Sequence, residues 1–419
     1  MNYKVKKLVL RILLPVAVAT PLSAQLPNLS IGWAHLAGSK LESVCPANNF
    51  GGYNYEFASK CDAVVTAWNS GALDTKRNRL VVWGGGHSDY LGNEMYALEL
   101  ATGKFQRITD PAPPISGGCP EAIADGSQPN SRHTYDGISY IANADRLFVV
   151  GGSLASCGFM SKATWTFDFA TSKWQNMAPA GINPNAVPGI VSAYDPNTGK
   201  VFVHDDGSFY SYDMKANRYT VVATNKAIDY HMTAAIDPKR KKFVVIGGGQ
   251  QWVYDIGGGD AKQQPLGSVG GSAVIGSNSP GLSYDVAEDR MVAWHGGNTA
   301  YALDMDKKIW VPVTFAGGPG TAITAGTNGR WEYAPSINAF VVVNGANVSP
   351  YVFKWSAKAV STVPKKAPPV KSRRGAQLRI PGLPLMNLPT PAEQSWDMGG
   401  RTIEIGSNQA GNAVRAVIQ

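Results

Sequence analysis

Charged residues are scarce in this sequence: Asp, Glu, Lys and Arg make up 16% of its 419 residues. A helical protein would carry more Glu, Lys and Ala, so the 46 glycines and 27 prolines instead indicate many short strands joined by tight turns. Basic residues exceed acidic ones by a formal charge of +8, but no basic stripe interleaved with aromatic residues occurs. We therefore expect no nucleic-acid partner, while the charge suits an anionic partner such as an acidic polysaccharide.

Long hydrophobic runs are missing too, apart from one near the start. Three lysines precede the apolar segment "LVLRILLPVAVAT", and "LSA", ending at Ala24, is a small-residue cleavage site. This order predicts a secretory signal peptide over residues 1–24, with a signal anchor as the alternative. The apolar segment is short and interrupted by Arg11, which makes it a poor bilayer span. We expect an exported monomer, periplasmic or secreted, with no membrane span once the signal is removed.

Cysteines are few, and none of them forms a Cys-x-x-Cys motif, so a zinc-thiolate site is not expected. The four present are Cys45, Cys61, Cys119 and Cys157. An even number of cysteines in an exported chain predicts two disulfide bonds. The most local pairing joins Cys45 to Cys61 and Cys119 to Cys157.

What the sequence does contain is an internal repeat. An apolar strand punctuated by Gly or Asp recurs six times, as "NRLVVWGGG", "DRLFVVGGS", "GKVFVHDDG", "KKFVVIGGG", "DRMVAWHGG" and "NAFVVVNGA". A further apolar strand precedes these copies, an alternating strand follows each, and an aromatic strand follows most. Each unit is therefore a four-stranded antiparallel sheet that cannot bury both faces alone. Radial stacking of such sheets predicts an all-β propeller of six blades.

These residues resemble the kelch or galactose-oxidase-like β-propeller family, in an exported, bacterial-type form. The resemblance rests on the Gly-Gly that ends the second strand, the aromatic-Asp third strand ("YALEL", "WTFDF", "YSYDM") and the later Trp or Tyr. It covers about Ile31 to Ser356. It implies a fold and leaves function open, because this fold hosts enzymes and adaptors alike.

The sixth unit lacks its fourth strand, because "KWSAKAVSTVPKK" leads into a basic, Pro-rich segment. Near the N-terminus, "IGWAHLAG" looks like a fourth strand with no unit before it. We therefore expect it to complete the sixth blade and close the ring, with a seventh blade built from the tail as the alternative. The predicted domains are a signal peptide (1–24), the propeller (25–356) and a basic linker with a C-terminal tail (357–419).

Propeller topology predicts where a site would lie. Residues before the first strand of a blade and residues after its second strand reach the same face of the disc, around the channel. The predicted catalytic residues at such positions are His87, His133, Tyr230, His231 and Arg330. The predicted substrate-binding residues are Arg132, Asp89, Asn93 and Trp331.

Some of these residues also suit a structural role. Ser88 and Asp89 are typical of a turn that bonds to its own backbone. Arg132 is suited to bonding main-chain carbonyls between blades, and Asn93 and Glu94 to bracing the loop before "MYALEL". The convergence of several such residues on one face favours a site more than any single residue does.

Two enzymatic hypotheses use this set, and the favoured one is a polysaccharide lyase acting on an acidic glycan. β-Elimination beside a carboxylate needs a group that neutralises the carboxylate, a base and an acid. Arg330 or Arg132 would meet the carboxylate in a bidentate manner. His87, His133, Tyr230 and His231 would supply the base and the acid.

The second enzymatic hypothesis is a metal-dependent oxidase. "YHMTAAIDPKRKKFVVIGGG" is similar to the galactose-oxidase segment in which a Tyr-His pair opens an inner strand, which implies Tyr230 and His231 as copper ligands. The position comparable to the family's second tyrosine holds His133, so a divalent-metal site of His87, His133 and His231 is the form expected here. The cofactor is thus either absent or a divalent metal, copper included. A third hypothesis is a non-catalytic glycan- or protein-binding propeller with exposed aromatic residues at the channel.

Overall fold

The computed structural model describes residues 26, 29–55, 61–115, 117–258 and 261–358, with the backbone of five short strands between 377 and 418. The predicted signal peptide and most of the predicted linker lie outside the described residues. The chain divides into two units, Met1–Val360 and Ser361–Gln419. In the part of the chain that the structure describes, no helix is long and apolar enough to cross a membrane.

The first unit contains six antiparallel sheets of four strands each, and these are the blades of a β-propeller. The chain begins with β1 (Gly32–His35). Blade one contains β2 (Ser70–Asp74), β3 (Arg79–Trp83), β4 (Met95–Glu99) and β5 (Lys104–Arg107). A two-residue strand, β6 (Arg132–His133), precedes blade two, which contains β7 (Ile138–Ile141), β8 (Arg146–Val150), β10 (Thr164–Asp168) and β11 (Lys173–Asn176); β9 (Ser153–Leu154) pairs with β6.

Blades three to six repeat this order. Blade three contains β12 (Val191–Asp195), β13 (Lys200–His204), β14 (Ser208–Asp213) and β15 (Arg218–Thr224). Blade four contains β16 (Met232–Asp237), β17 (Lys242–Gly247), β18 (Gln250–Asp255) and β19 (Gln264–Pro265). Blade five contains β20 (Gly281–Asp285), β21 (Arg290–Trp294), β22 (Thr299–Asp304) and β23 (Ile309–Thr314). Blade six contains β24 (Trp331–Ala334), β25 (Ala339–Val342) and β26 (Tyr351–Lys354), with β1 as its fourth strand.

The N-terminal strand closes the ring, as the sequence predicted. β1 pairs antiparallel with β26, and Trp33 lies opposite Phe353. The first strands of neighbouring blades contact one another all the way round, including β24 with β2. The propeller therefore has six blades and not seven, and these inner strands surround a central channel.

The hydrophobic core lies between the blades. Trp83 of β3 and Trp165 of β10 belong to one buried cluster between blades one and two. Trp294 of β21 stacks on Trp331 of β24 between blades five and six, with ring centroids 5.9 Å apart. Because each blade packs on both faces, second strands such as β3 are buried at every position and show a continuous apolar run.

Ion pairs between hairpin turns also join neighbouring blades. Arg77 of blade one donates two hydrogen bonds to Asp145 of blade two, at 2.7 and 2.8 Å. Arg240 of blade four makes the same kind of pair with Asp289 of blade five. Paired charges of this geometry are stronger than neutral hydrogen bonds, and the Arg77 guanidinium holds the pKa of Asp145 well below its usual range.

The remaining elements of the first unit are short. Helices α1 (Ala63–Thr66) and α2 (Ser272–Ile275) and the 3-10 turns Leu41–Val44, Phe50–Gly52 and Asn328–Arg330 lie in the connections. Two disulfides join Cys45 to Cys61 and Cys119 to Cys157, with Cα atoms 6.1 and 5.7 Å apart. Both pairings are those that the sequence predicted.

The second unit is described by its backbone alone. β27 (Gln377–Leu378) pairs with β28 (Met386–Asn387). β29 (Trp396–Asp397), β30 (Thr402–Ser407) and β31 (Val414–Ile418) form a three-stranded antiparallel sheet.

Trp33 should contribute much of the free energy that holds the ring closed. Its ring contacts Trp294, Trp331 and Phe353, and its indole N–H donates to the carbonyl of Asn298 at 3.0 Å. We expect Trp33→Ala to lower the free energy of unfolding by about 2–3 kcal/mol in urea titration. His35→Ala, at the exposed end of the same strand, should cost less than about 1 kcal/mol. Equal losses for both variants would contradict this role.

Candidate functional site

The backbone is strained where the chain approaches the inner strands. Trp68, Tyr135, Ser279 and Asn328 precede β2, β7, β20 and β24 by two or three residues, and all have positive φ angles between 40° and 48°. Such angles are genuine outliers for bulky residues like Trp and Tyr. The Tyr135 N–H donates to the Trp68 carbonyl at 2.7 Å, so the two conformations support each other. Strain maintained in this way is typical of a functional surface.

A histidine–aspartate pair lies on this face. His133 comes from β6 and Asp89 from the loop after β3, and His133 Nε2 lies 2.5 Å from Asp89 Oδ2. His133 is buried, whereas Asp89 is partly exposed. A carboxylate bonded to one ring nitrogen fixes the orientation and tautomer of an imidazole. The pair therefore holds the buried His133 ring in a fixed orientation beside a partly exposed carboxylate.

His87 completes this group. Its ring stacks on His133, with centroids 5.5 Å apart and planes 25° apart. Its Nδ1 lies 3.4 Å from Ser153 Oγ, and a Cβ on Gly158 would lie 2.5 Å from the ring. His87 remains exposed, yet these contacts remove part of its hydration. That loss lowers the pKa of His87 below its usual value, and the nearby His133 lowers this pKa further.

The Tyr230–His231 motif contains a second histidine–aspartate pair. His231 Nδ1 lies 2.7 Å from Asp229 Oδ1, and the His231 main-chain N–H donates to the same oxygen at 2.8 Å. The Tyr230 ring contacts the His231 ring with centroids 3.6 Å apart and planes tilted by 39°, and 42% of the Tyr230 surface is exposed. Two His–Asp pairs thus lie beside the starts of two inner strands, β7 and β16.

Tyr135 links the two pairs and was missed in the sequence. Its ring meets the His133 ring edge-on at 6.3 Å. Burial, and to a smaller extent the charge of the nearby Tyr230, raise the pKa of Tyr135 to about 12. The available signal was its position, two residues after His133 in "SRHTYDG". Trp68, whose ring lies 5.3 Å from that of His133, was also missed in the sequence. We name His87, Asp89, His133, Tyr135, Tyr230 and His231 the entrance cluster.

The two predicted arginines lie elsewhere. Arg132 is fully buried, bonds the carbonyls of Asn130 and Gly151, and pairs with Glu121 at 2.7 Å. Arg330 is likewise fully buried and bonds the carbonyls of Asn69, Val343 and Gly326.

Their guanidinium groups therefore tie loops and blades together instead of facing a ligand. A planar donor that satisfies several orphan carbonyls at once is well suited to such positions. Burial also lowers the pKa of Arg330 to about 9. Arg132 bonds main-chain carbonyls, as considered from the sequence, but these belong to blade two and to the connection before it.

Two other predicted binding residues are also inaccessible. Asn93, 2% exposed, donates to the Pro129 carbonyl at 3.0 Å and accepts from the Ala112 N–H at 2.8 Å. Trp331 is fully buried between blades five and six. Both positions follow from packing: Asn93 braces a loop, and Trp331 is an inter-blade core residue.

A disulfide holds the loop beside His87. The Ser156 N–H donates to the His87 carbonyl at 2.8 Å, directly before Cys157 of the Cys119–Cys157 bond. Phe159, two residues further on, is 72% exposed. The disulfide thus anchors both the covered face of His87 and a large aromatic side chain next to it.

The three histidines of the predicted divalent-metal site, His87, His133 and His231, do not form one group. His87 and His133 are neighbours, but His231 belongs to the other pair. Across the described ranges, no group of three or more His, Cys, Asp or Glu side chains is arranged to hold a metal ion.

Compared with known protein families, the chain matches no family model. No curated protein matches its sequence either. The class that the structure defines is therefore the fold itself, a six-bladed β-propeller. Its distinguishing feature is a His–Asp–Tyr cluster at one end of the channel.

The titration of His87 tests the geometry of the cluster without any substrate. The charge of His133 lowers the pKa of His87, whereas the charge of Asp89 raises it. We expect His133→Gln to raise the His87 pKa and Asp89→Asn to lower it, as measured by NMR titration of the ring protons. Shifts of the same sign in both variants, or none, would contradict the arrangement. His295→Gln, at a histidine that contacts Tyr301 instead, is the control.

Proposed function

We propose that this propeller is an exported enzyme that binds a carbohydrate at the entrance cluster and acts on it by acid/base chemistry, as a lyase of acidic polysaccharide. The observation that carries the proposal is the Asp89–His133 pair with His87 stacked upon it. One imidazole is oriented by a carboxylate, while its neighbour has a lowered pKa and is neutral near pH 7. Perturbed titratable groups of this kind are typical of catalytic sites.

Each group has a role in β-elimination. Neutral His87 is suited to removing the proton from the carbon next to the uronate carboxylate. The exposed phenol of Tyr230 is suited to giving a proton to the glycosidic oxygen, as the carbon–oxygen bond breaks and a carbon–carbon double bond forms. His133, buried and bonded to Asp89, holds the stacked His87 ring in place for this step.

The surroundings suit a sugar. Phe159 and Tyr230 present large exposed aromatic surfaces beside the cluster, and Trp68 is half-buried against His133. Aromatic faces provide broad apolar contact area in binding sites that polar groups complete. Two disulfides are typical of proteins from oxidising compartments, which supports export.

Activity on polyuronates tests this proposal. We expect the purified protein to produce new ultraviolet absorbance from unsaturated products on at least one soluble polyuronate. His87→Ala and Tyr230→Phe should each lower kcat by about 10²–10⁴-fold, while His295→Ala should leave it unchanged. No turnover of any acidic glycan would refute the lyase. Retained glycan binding, measured by calorimetry and lost in Phe159→Ala, would then identify a binding propeller instead.

A further inference from the structure

The central channel contains a cavity of about 350 Å³, lined by residues of all six inner strands. Its rim is formed by the residue that directly follows the inner strand in each blade, as in Thr75, Pro196 and Pro335. The entrance cluster lies near the starts of the inner strands. The rim residues follow the ends of these strands and so lie at the opposite end of the channel. From this rim the cavity extends along the inner strands as far as Asp136, and among the described residues that line it none belongs to the entrance cluster.

One residue breaks the symmetry of this cavity. Three positions before each rim residue, every inner strand contributes one side chain to the lining: Ala72, Ser139, Ala193, Ala235, Ser283 and Glu332. Five of the six are small, so the sixfold packing itself calls for Ala or Ser at this level. Glu332 is the exception, and packing alone does not explain a carboxylate there.

A second carboxylate lies beside it. Asp136 also lines the cavity and accepts hydrogen bonds from the Ala234 N–H at 2.7 Å and from Thr233 Oγ1 at 3.1 Å. Glu332 accepts one from Ser283 Oγ at 2.8 Å, and part of its surface remains accessible. Because Glu332 lines the cavity, that surface faces the channel. Asp136 is thus held in place, while Glu332 keeps bonding capacity for a guest.

No positive charge compensates these two groups. Among the described residues that line the cavity there is no Lys, Arg or His. Burial raises the pKa of Asp136 to about 7. Burial and the charge of Asp136 raise the pKa of Glu332 to about 8. The ionised pair is therefore unfavourable on its own, and a cationic guest would offset that cost.

We propose that this cavity binds a small aliphatic ammonium compound, with the ammonium group at Glu332 and Asp136 and the hydrocarbon part along the apolar lining. The choice of an organic cation over a metal ion follows from the donor set. Calcium takes six to eight oxygen ligands, whereas the cavity offers two carboxylates among hydroxyls and apolar side chains. Ile138, Leu282 and the ring of Tyr194 supply contact area for hydrocarbon and for cation–π attraction.

Binding should be linked to proton release. The other titratable groups lining the cavity are Tyr140, Tyr194, Tyr284 and Tyr333, whose pKa values burial raises above the usual value. They stay protonated below pH 9, so Asp136 and Glu332 alone supply the protons. A cation stabilises both carboxylates in their ionised form. Affinity should therefore rise between pH 5.5 and pH 8.5.

Isothermal titration calorimetry with 1,4-diaminobutane tests the proposal on the whole chain. We expect binding that is at least about tenfold weaker in Glu332→Ala and in Glu332→Gln. Glu332→Ala restores the small residue of the sister blades and should fold, which circular dichroism and thermal unfolding would verify. Glu42→Gln, on the surface, is the control for loss of one charge. Titration in two buffers of different ionisation enthalpy should show proton release that Glu332→Gln reduces.

Several outcomes would overturn the proposal: no heat from 1,4-diaminobutane, equal affinity in wild type and both Glu332 variants, or equal binding of uncharged 1,4-butanediol. Preferential binding of Ca²⁺ would overturn the organic-cation assignment. This proposal can fail or succeed independently of the function proposed for the entrance cluster. His87→Ala should retain diamine binding, and Glu332→Ala should retain any activity on glycans.

Discussion

Pairing of β1 with β26 is the constraint on which the rest of the structure depends. Six twisted sheets arranged radially bury their faces only when the last one meets the first, and an unpaired outer edge would leave a row of free main-chain groups. A four-residue strand from the opposite end of the chain satisfies both conditions, and Trp33 packs into the seam between blades five and six. The closed ring fixes the width of the channel, and with it the spacing of everything placed around it.

The same inner strands serve both ends of that channel. His133 and Tyr135 lie before β7 in the entrance cluster, while Asp136 and Ser139 of the same segment line the cavity below. The two differ in chemistry because the entrance cluster is made from connecting loops, whereas the cavity wall is made mainly from strand residues in sixfold repetition. Loops are free to carry His, Tyr and Asp side chains, whereas this strand level has Ala or Ser in five blades and a carboxylate only at Glu332.

The entrance cluster is maintained at a cost in backbone strain. His87, Trp68 and Tyr135 all have left-handed backbone conformations that disfavour large side chains. Hydrogen bonds from buried neighbours and the Cys119–Cys157 disulfide offset this cost. The buried arginines belong to the same support: Arg132 and Arg330 bond main-chain carbonyls around the loops from which the cluster projects. The two arginines, which the sequence predicted as ligand contacts, instead support the loops that position the entrance cluster.

The sequence by itself determined the blade count, the closing strand and both disulfides, because these follow from repeated apolar strands, from one missing strand and from local cysteine spacing. It also indicated His87, His133, Tyr230 and His231, since topology places strand starts together. Only the tertiary structure decided which polar residues face outward. Arg132, Arg330, Asn93 and Trp331 occupy suitable positions in the chain, yet buried carbonyls and inter-blade packing hold them inside. Tyr135 and Glu332 became significant only through neighbours distant in sequence, which no local pattern records.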